Sequence, residues 1–260
     1  MKLSPNLVQR MLWLVWHYCY ALFQTVRFIP VVLIWLVGIF MCFDIKYPPD
    51  FAAQGYISTA TWIFFIAAWF GYMFLSGSDR SAEYILIMQI NSRRLYAISK
   101  VVFLLVVCIA FSVLSCLYPV VINALYQFKG IVIFHGLQPS VFIGAFLLHF
   151  IFGTLGISIP LLFQPNPTKR RDLLSIGLIL IFVLLSAIKG QFIDRQSPFY
   201  YLFYVFPPFV DITNQFFDKN VLTAADLARA AVYGIVYAIT AIAAGQWLYS
   251  RRIYGPHIAH

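Results

Sequence analysis

Hydrophobic residues in this chain fall into long runs that shorter polar segments separate. The runs predict six membrane-spanning helices, at 27–43, 57–75, 101–126, 139–163, 173–188 and 227–249. About 20 apolar residues in a helix are enough to cross the hydrocarbon core of a bilayer. All nine acidic residues lie in the intervening segments or at span ends. The pattern therefore predicts an all-α integral membrane protein with a single transmembrane domain over 1–260.

The N-terminal segment 4–26 is apolar on one side only. At helical spacing, one face carries Trp, Tyr, His, Gln and Arg side chains and the opposite face carries aliphatic ones. Amphipathic side chains of this kind favour the headgroup region of a bilayer. We predict a helix lying in the membrane plane. The alternative is that the segment forms the first part of a tilted first span.

The segment from Asp79 to Lys100 combines charge with the starts of two helices. Ser81 can cap a short helix at 80–91, and Glu83, the only glutamate of the chain, then lies in its first turn. Asn91 and Ser92 end this helix, and Ser92 can cap the next one, which carries Arg93, Arg94 and Lys100 toward the third span. The short helix either rests on lipid headgroups or is a docking helix for a soluble partner.

The segment 196–218 is too aromatic for a water-exposed loop, and prolines and polar residues interrupt it too often for a span. We predict two short helices that dip into the outer leaflet, with a turn at Pro207-Pro208. The segment is either an aromatic anchor or a lid over an outward exit path. As an outer gate, it would consist of Phe199, Tyr200, Phe203, Phe206, Pro207, Pro208 and Phe209.

Charge divides the predicted loops into two classes. The net charge is +9, and 62% of the residues are hydrophobic. If the N-terminus is cytoplasmic, the inner segments contain twelve Lys and Arg against three acidic residues, whereas the outer segments contain six of each. This bias predicts a multi-pass protein of the cytoplasmic membrane with both termini inside. The excess of basic residues therefore indicates topology and contact with an anionic lipid bilayer, and predicts no nucleic-acid binding.

Several kinds of chemistry lack support in the sequence. The chain has no G-x-x-x-x-G-K-[ST] motif, so any ATP and Mg²⁺ would be bound by another subunit. No acidic residue lies in mid-membrane, which argues against an ion-coupled carrier. His149 is the one histidine within a predicted span, and we interpret it as a helix-packing partner rather than a proton relay. The four cysteines lack metal-site spacing, so we expect no metal and no cofactor in this chain.

The residues around the short helix resemble those of the ABC type-2 permease family, the membrane subunits of ATP-binding-cassette exporters. The similarity consists of Glu83-x-x-Leu86, then Asn91-Ser92-Arg93, then Lys100 at the start of span three, within a matching order of helices. The family often has a proline where this chain has Gln89-Ile90-Asn91.

The resemblance implies a non-enzymatic transport subunit that pairs with a second permease subunit and with a separate ABC ATPase. It implies that helix 80–91 is the coupling helix and that the cargo is amphipathic or lipid-like. The implied docking residues are Ser81, Glu83, Tyr84, Leu86, Ile87, Ile90, Arg93 and Arg94. Two other functions fit the sequence less well: a non-transporting membrane scaffold or immunity protein, and an ion-coupled carrier.

Overall fold

The computed structural model describes residues 6–44, 52–77, 80–128, 130–163, 169–192, 205–217 and 222–253. Within these ranges every regular element is helical and no strand occurs. The helices are α1 (Leu7–Gln24), a 3₁₀ turn (Val26–Phe28), α2 (Ile29–Cys42), α3 (Ala52–Ser76), α4 (Arg80–Ile90), α5 (Arg93–Gln127), α6 (Pro139–Leu162), α7 (Lys169–Phe192), α8 (Phe209–Phe217) and α9 (Ala224–Ile253).

Four of these helices are long and apolar enough to cross a membrane: α3, α5, α6 and α9 up to Tyr249. The pair of α1 and α2 passes the same test together and gives a fifth candidate span. The predicted fifth span, 173–188, is an apolar stretch of α7 shorter than a full span. The structure therefore supports a multi-pass membrane protein with four to five candidate spans. Of the predicted six, 27–43 passes the test only together with α1, and 173–188 does not pass it.

A bend of 78° separates α1 from α2. The 3₁₀ turn around Arg27 produces the bend, and Pro30 starts α2 because its fixed φ suits the first turn of a helix. A straight tilted span over both helices is thereby excluded. The sidedness of α1 is confirmed, since Leu14 and Tyr18 are buried whereas Trp13, Trp16 and Tyr20 are exposed.

Helix α6 lies at the centre of the bundle, between α3 and α9. Glycines allow α3 and α9 to approach α6 closely. A Cβ on Gly156 would collide with the backbone of Phe64 in α3, and a Cβ on Gly245 would collide with the backbone of Leu161 in α6. Gly234 likewise faces Ile151 of α6. The small residues of α6 and α9 thus serve packing within one chain.

His149 is fully buried in this packing layer. Its Nδ1 donates to the carbonyl of Ala145 at 2.6 Å, and its Nε2 lies 2.8 Å from the hydroxyl of Thr59 in α3. A carbonyl oxygen can only accept, so the proton resides on Nδ1 and the Thr59 hydroxyl can donate to Nε2. Both ring nitrogens of the neutral side chain are thereby satisfied, which fits the predicted packing role.

Most predicted helix boundaries agree with the structure within a few residues, and the differences have local causes. Helix α3 begins at Ala52 rather than at residue 57, and α5 begins at Arg93, so that the predicted third span is the continuation of the helix that Ser92 caps. Helix α4 begins at Arg80, so Ser81 is inside the first turn and is not the cap. Thr223 caps the N-terminus of α9, since the Asp226 amide donates to the Thr223 hydroxyl.

Candidate functional site

Helix α4 is a short helix outside the candidate spans, joined to α5 by a sharp turn. Asn91 has a positive φ of 52°, a conformation that Asn tolerates better than most residues and that ends many helices. Its amide donates to the carbonyl of Ile87 at 2.9 Å. Ser92 then starts α5, because its side-chain oxygen accepts the amide of Leu95 at 3.3 Å. The predicted break and cap are both confirmed.

An ion pair fastens α4 to α5. The Nζ atom of Lys100 donates to Oε1 of Glu83 at 2.9 Å, and the two side chains are only 8% and 16% exposed. The hydroxyl of Tyr249, near the end of α9, donates to the same carboxylate oxygen at 2.6 Å. One carboxylate therefore connects α4 with the adjacent helix α5 and with α9, which is distant in the sequence.

The electrostatic surroundings keep Glu83 ionised. Burial alone would raise the pKa of this carboxyl, but the Lys100 ammonium and the hydrogen bonds from Tyr249, Lys100 and Tyr96 hold it below its usual range. A buried charge is tolerated where a partner of opposite charge and further donors satisfy it. Glu83 meets both conditions, so its charge has a structural role inside the protein.

Aromatic rings complete the cluster around the ion pair. The Lys100 Nζ lies 4.5 Å from the ring centroid of Tyr96 and 5.9 Å from that of Tyr249, distances at which a cation is attracted to a ring face. The hydroxyl of Tyr18 in α1 lies 3.2 Å from that of Ser99 in α5, and Ser99 donates to the Tyr96 carbonyl at 2.7 Å. The cluster thus also includes α1.

Helix α1 also contacts α4 directly, at the end of α4 that precedes α5. The Arg10 guanidinium donates to the carbonyl of Ile90, the last residue of α4, at 3.3 Å. A cation is favourable at this position because the final carbonyls of a helix lack intrahelical partners and carry partial negative charge. Side chains of α1, α5 and α9 therefore hold α4 in place. We call this set of contacts the α4 junction.

The two faces of α4 have different environments. Ile90 is buried, and Leu86 and Ile87 are partly buried against the hydrophobic core that α1, α3 and α5 share. Tyr84, Ile85 and Met88 are exposed, with Met88 at 73%. These three residues form an apolar stripe, which we call the α4 stripe. Such a stripe is available to a partner or to lipid.

The eight predicted docking residues therefore separate into three groups. Glu83, Leu86, Ile87 and Ile90 face the protein, and they fix α4 in place instead of presenting a free surface. Tyr84 faces outward, and Arg93 and Arg94 are exposed at the start of α5. The side chain of Ser81 lies outside the described residues. Ile85 and Met88 are exposed on the same face but were absent from the predicted set.

The predicted outer gate is only partly within the described residues. Phe199, Tyr200 and Phe203 lie outside them. Phe209 begins α8 after the predicted turn at Pro207-Pro208, so the second of the two predicted short helices is confirmed. Its ring is buried and stacks on Phe64 of α3 at a centroid distance of 4.1 Å, and Phe206 contacts Phe182 of α7 at 4.7 Å. These two rings pack against α3 and α7.

Among the described residues, no group of three or more His, Cys, Asp or Glu side chains could hold a metal ion. The junction instead connects a short peripheral helix to three long ones through a carboxylate, an ammonium and three tyrosines. These contacts link α4 to α1, α5 and α9.

Sequence reasoning identified Glu83 and Lys100 but missed Tyr249, Tyr18 and Arg10. These three residues lie 166, 65 and 73 positions from Glu83, and no local pattern connects residues at such separations. The presence of the only glutamate next to a span was the single available signal that a buried partner exists. Comparisons with protein-family models, with curated proteins and with solved structures give no match to this chain.

Proposed function

We propose that this chain is the permease subunit of an ATP-driven exporter, powered by a separate ATPase subunit that docks on α4. In this proposal the chain has six spans, both termini are cytoplasmic, α1 lies in the membrane plane, and a second permease subunit completes the transporter. The observation that carries the proposal is the division of α4 into a face fixed to α1, α5 and α9 and a face that exposes the α4 stripe.

A coupling element needs both properties. It must present a surface to the subunit that hydrolyses ATP, and it must be connected to the spans whose positions determine access to cargo. The α4 stripe meets the first requirement, and the Glu83–Lys100–Tyr249 contacts meet the second. The acid and the lysine that the chain shares with the ABC type-2 permease pattern are the two residues of the ion pair. This agreement between motif and geometry supports the assignment.

The alternative for α4 is contact with lipid headgroups only. An exposed apolar stripe on a short helix would suit that role too, but a lipid-bound helix has no need of a carboxylate fastened to two separate spans. The buried ion pair therefore favours the coupling role over simple membrane contact. A scaffold protein would share the docking surface and would differ in lacking substrate-stimulated ATP hydrolysis in its complex.

The test is co-purification of the tagged chain from its native membrane in mild detergent. We expect an ATPase subunit with the wild-type chain and with Phe128→Glu, which changes a 91% exposed residue at the far end of α5. We expect its loss with Met88→Glu, because a charge in the middle of the α4 stripe would have to be desolvated in the interface. Absence of an ATPase from the wild-type sample, or its retention by Met88→Glu, would refute the docking role.

A further inference from the structure

A cleft of about 1130 Å³ runs between α7, α8 and α9, away from the α4 junction. It is larger than the pockets of roughly 300–1,000 Å³ that hold most small ligands. Its polar lining comes from Asp211 and Gln215 of α8 and from Arg229, Tyr233, Tyr237 and Thr240 of α9. Its apolar lining includes Phe182 of α7 and Val232, Val236, Ala241 and Ala244 of α9.

The cleft is elongated and its polarity changes along its length. The lining residues of α9 extend from Arg229 to Ala244, which at 1.5 Å per residue corresponds to about 22 Å. The charged lining residue of α9 is at the beginning of this stretch, whereas Ala241 and Ala244 line its end. The hydrocarbon part of one bilayer leaflet is about 15 Å thick. The cleft therefore has room for an extended acyl chain and for a polar group beyond it.

One side of the cleft is open along the same helix. Val232, Tyr233 and Val236 line the cleft and are nevertheless exposed, each by about three fifths of its surface. Since α9 is a candidate span, this open side faces the apolar surroundings of the bundle. A molecule dissolved in the bilayer can enter sideways without first passing through water.

The charged lining groups determine which head group fits. Arg229 supplies a cation that suits a phosphate, and Asp211 supplies an anion that suits an ammonium group. A purely anionic head group would be repelled by Asp211, and a purely cationic one by Arg229.

We infer that the cleft binds a lipid-like amphiphile with a zwitterionic head group, its chain lying along α9 and its head group between Asp211 and Arg229. The inference deepens the proposed function and rests on it for one point, that this bound molecule is of the class exported. Binding itself is independent of any ATPase. Loss of lipid binding would leave the co-purification result unchanged, and loss of co-purification would leave lipid binding unchanged.

The experiment is native mass spectrometry of the purified full-length chain, titrated with a phosphatidylethanolamine and, separately, with a phosphatidylglycerol of the same acyl chains. We expect one retained phosphatidylethanolamine per chain and weaker retention of the anionic lipid. Ala244→Phe fills the apolar end of the cleft and should weaken binding about tenfold or more. Ala243→Phe is the matched control, because Ala243 is exposed on α9 but does not line the cleft, and it should bind like the wild type.

Arg229→Gln tests the head group separately from the fold, since Arg229 is exposed and its replacement leaves the packing intact. We expect this variant to bind both lipids more weakly and to keep the preference for the zwitterionic lipid, because Asp211 still favours the ammonium group; Arg229→Lys should bind like the wild type. Equal binding of the two lipids by the wild type would overturn the inference, as would equal loss in Ala243→Phe and Ala244→Phe. A dimer that persists in lipid-free detergent and disappears only in Ala244→Phe would assign the cleft to a second copy instead.

Discussion

At the scale of single residues, the ion pair of Glu83 and Lys100 makes each charge dependent on the other. Replacing Glu83 by Gln leaves the Lys100 ammonium without its counter-ion at 8% exposure, and replacing Lys100 by Met leaves the carboxylate with the Tyr249 hydroxyl. Breaking one side of a buried pair is more costly than removing both sides, because the remaining charge stays desolvated. The contribution of the pair to stability can therefore be measured without a transport assay.

We expect Glu83→Gln and Lys100→Met each to destabilise the purified chain by about 1–3 kcal/mol. The double variant should be less destabilised than the sum of the two, since it leaves neither charge unpaired. Thermal unfolding in detergent, compared across the four proteins, measures this coupling. Strictly additive effects would show that the two side chains do not interact in the protein.

The lowered pKa of Glu83 predicts a pH dependence with a defined sign. The carboxyl has a lower pKa in the folded protein than in the unfolded chain, so it binds a proton more readily when unfolded. Its stabilising contribution is complete above the ordinary glutamate pKa of about 4.3 and is lost as the pH falls through the lower folded value. We expect the difference in melting temperature between wild type and Glu83→Gln to shrink from pH 7 toward pH 3. A constant difference over this range would contradict the ionised state of Glu83.

At the scale of elements, local signals in the sequence were sufficient to predict α4 and the position at which it ends. The run of apolar residues at helical spacing, the Asn91-Ser92 break and the Ser92 cap all act within a few positions, and the structure has each of them. The contact with Tyr249 depends instead on how α9 packs against α6, which close backbone approach at Gly234 and Gly245 determines. Such packing geometry is a property of three helices together, so the sequence of any one of them is insufficient.

At the glycines where two helices approach closely, we expect an added side chain to lower the stability of the protein. A methyl group on Gly156 or Gly245 would collide with backbone atoms, which cannot move aside as a flexible side chain can. We expect Gly156→Ala and Gly245→Ala each to destabilise the chain by about 1–3 kcal/mol, through overpacking. The measurement is the same detergent unfolding assay.

Gly177 in α7 provides the matched control, since a Cβ there would meet no atom within 4 Å. Gly177→Ala should leave stability unchanged or raise it by up to about 1 kcal/mol, because alanine loses less backbone entropy than glycine in a helix. Destabilisation of Gly177→Ala equal to that of the other two would show that the effect is general to these helices and unrelated to close approach.

At the scale of the whole molecule, the α4 junction and the cleft are at separate places on the same long helix. Tyr249 near the end of α9 belongs to the junction, and Arg229 near its beginning belongs to the cleft. The twenty residues between them correspond to about 30 Å of helix, close to the thickness of the hydrocarbon core. In the proposed transporter, α9 is the helix that would connect a displacement of α4 to the cleft. Hydropathy indicated α9 as a span but carried no information about either end's partners.

The two ends of α5 offer a test of the membrane topology. Its 35 residues correspond to about 52 Å, longer than the 40–45 Å of a bilayer with headgroups, so both ends emerge if it spans. The loop charges predict that the α4 end is cytoplasmic. In a chain whose four native cysteines are replaced by alanine, a membrane-impermeant maleimide added to intact cells should label Phe128→Cys. It should label Met88→Cys only after permeabilisation. The reverse pattern would invert the topology and place the α4 stripe beyond the reach of a cytoplasmic ATPase, and labelling of both from outside would show that α5 does not cross the membrane.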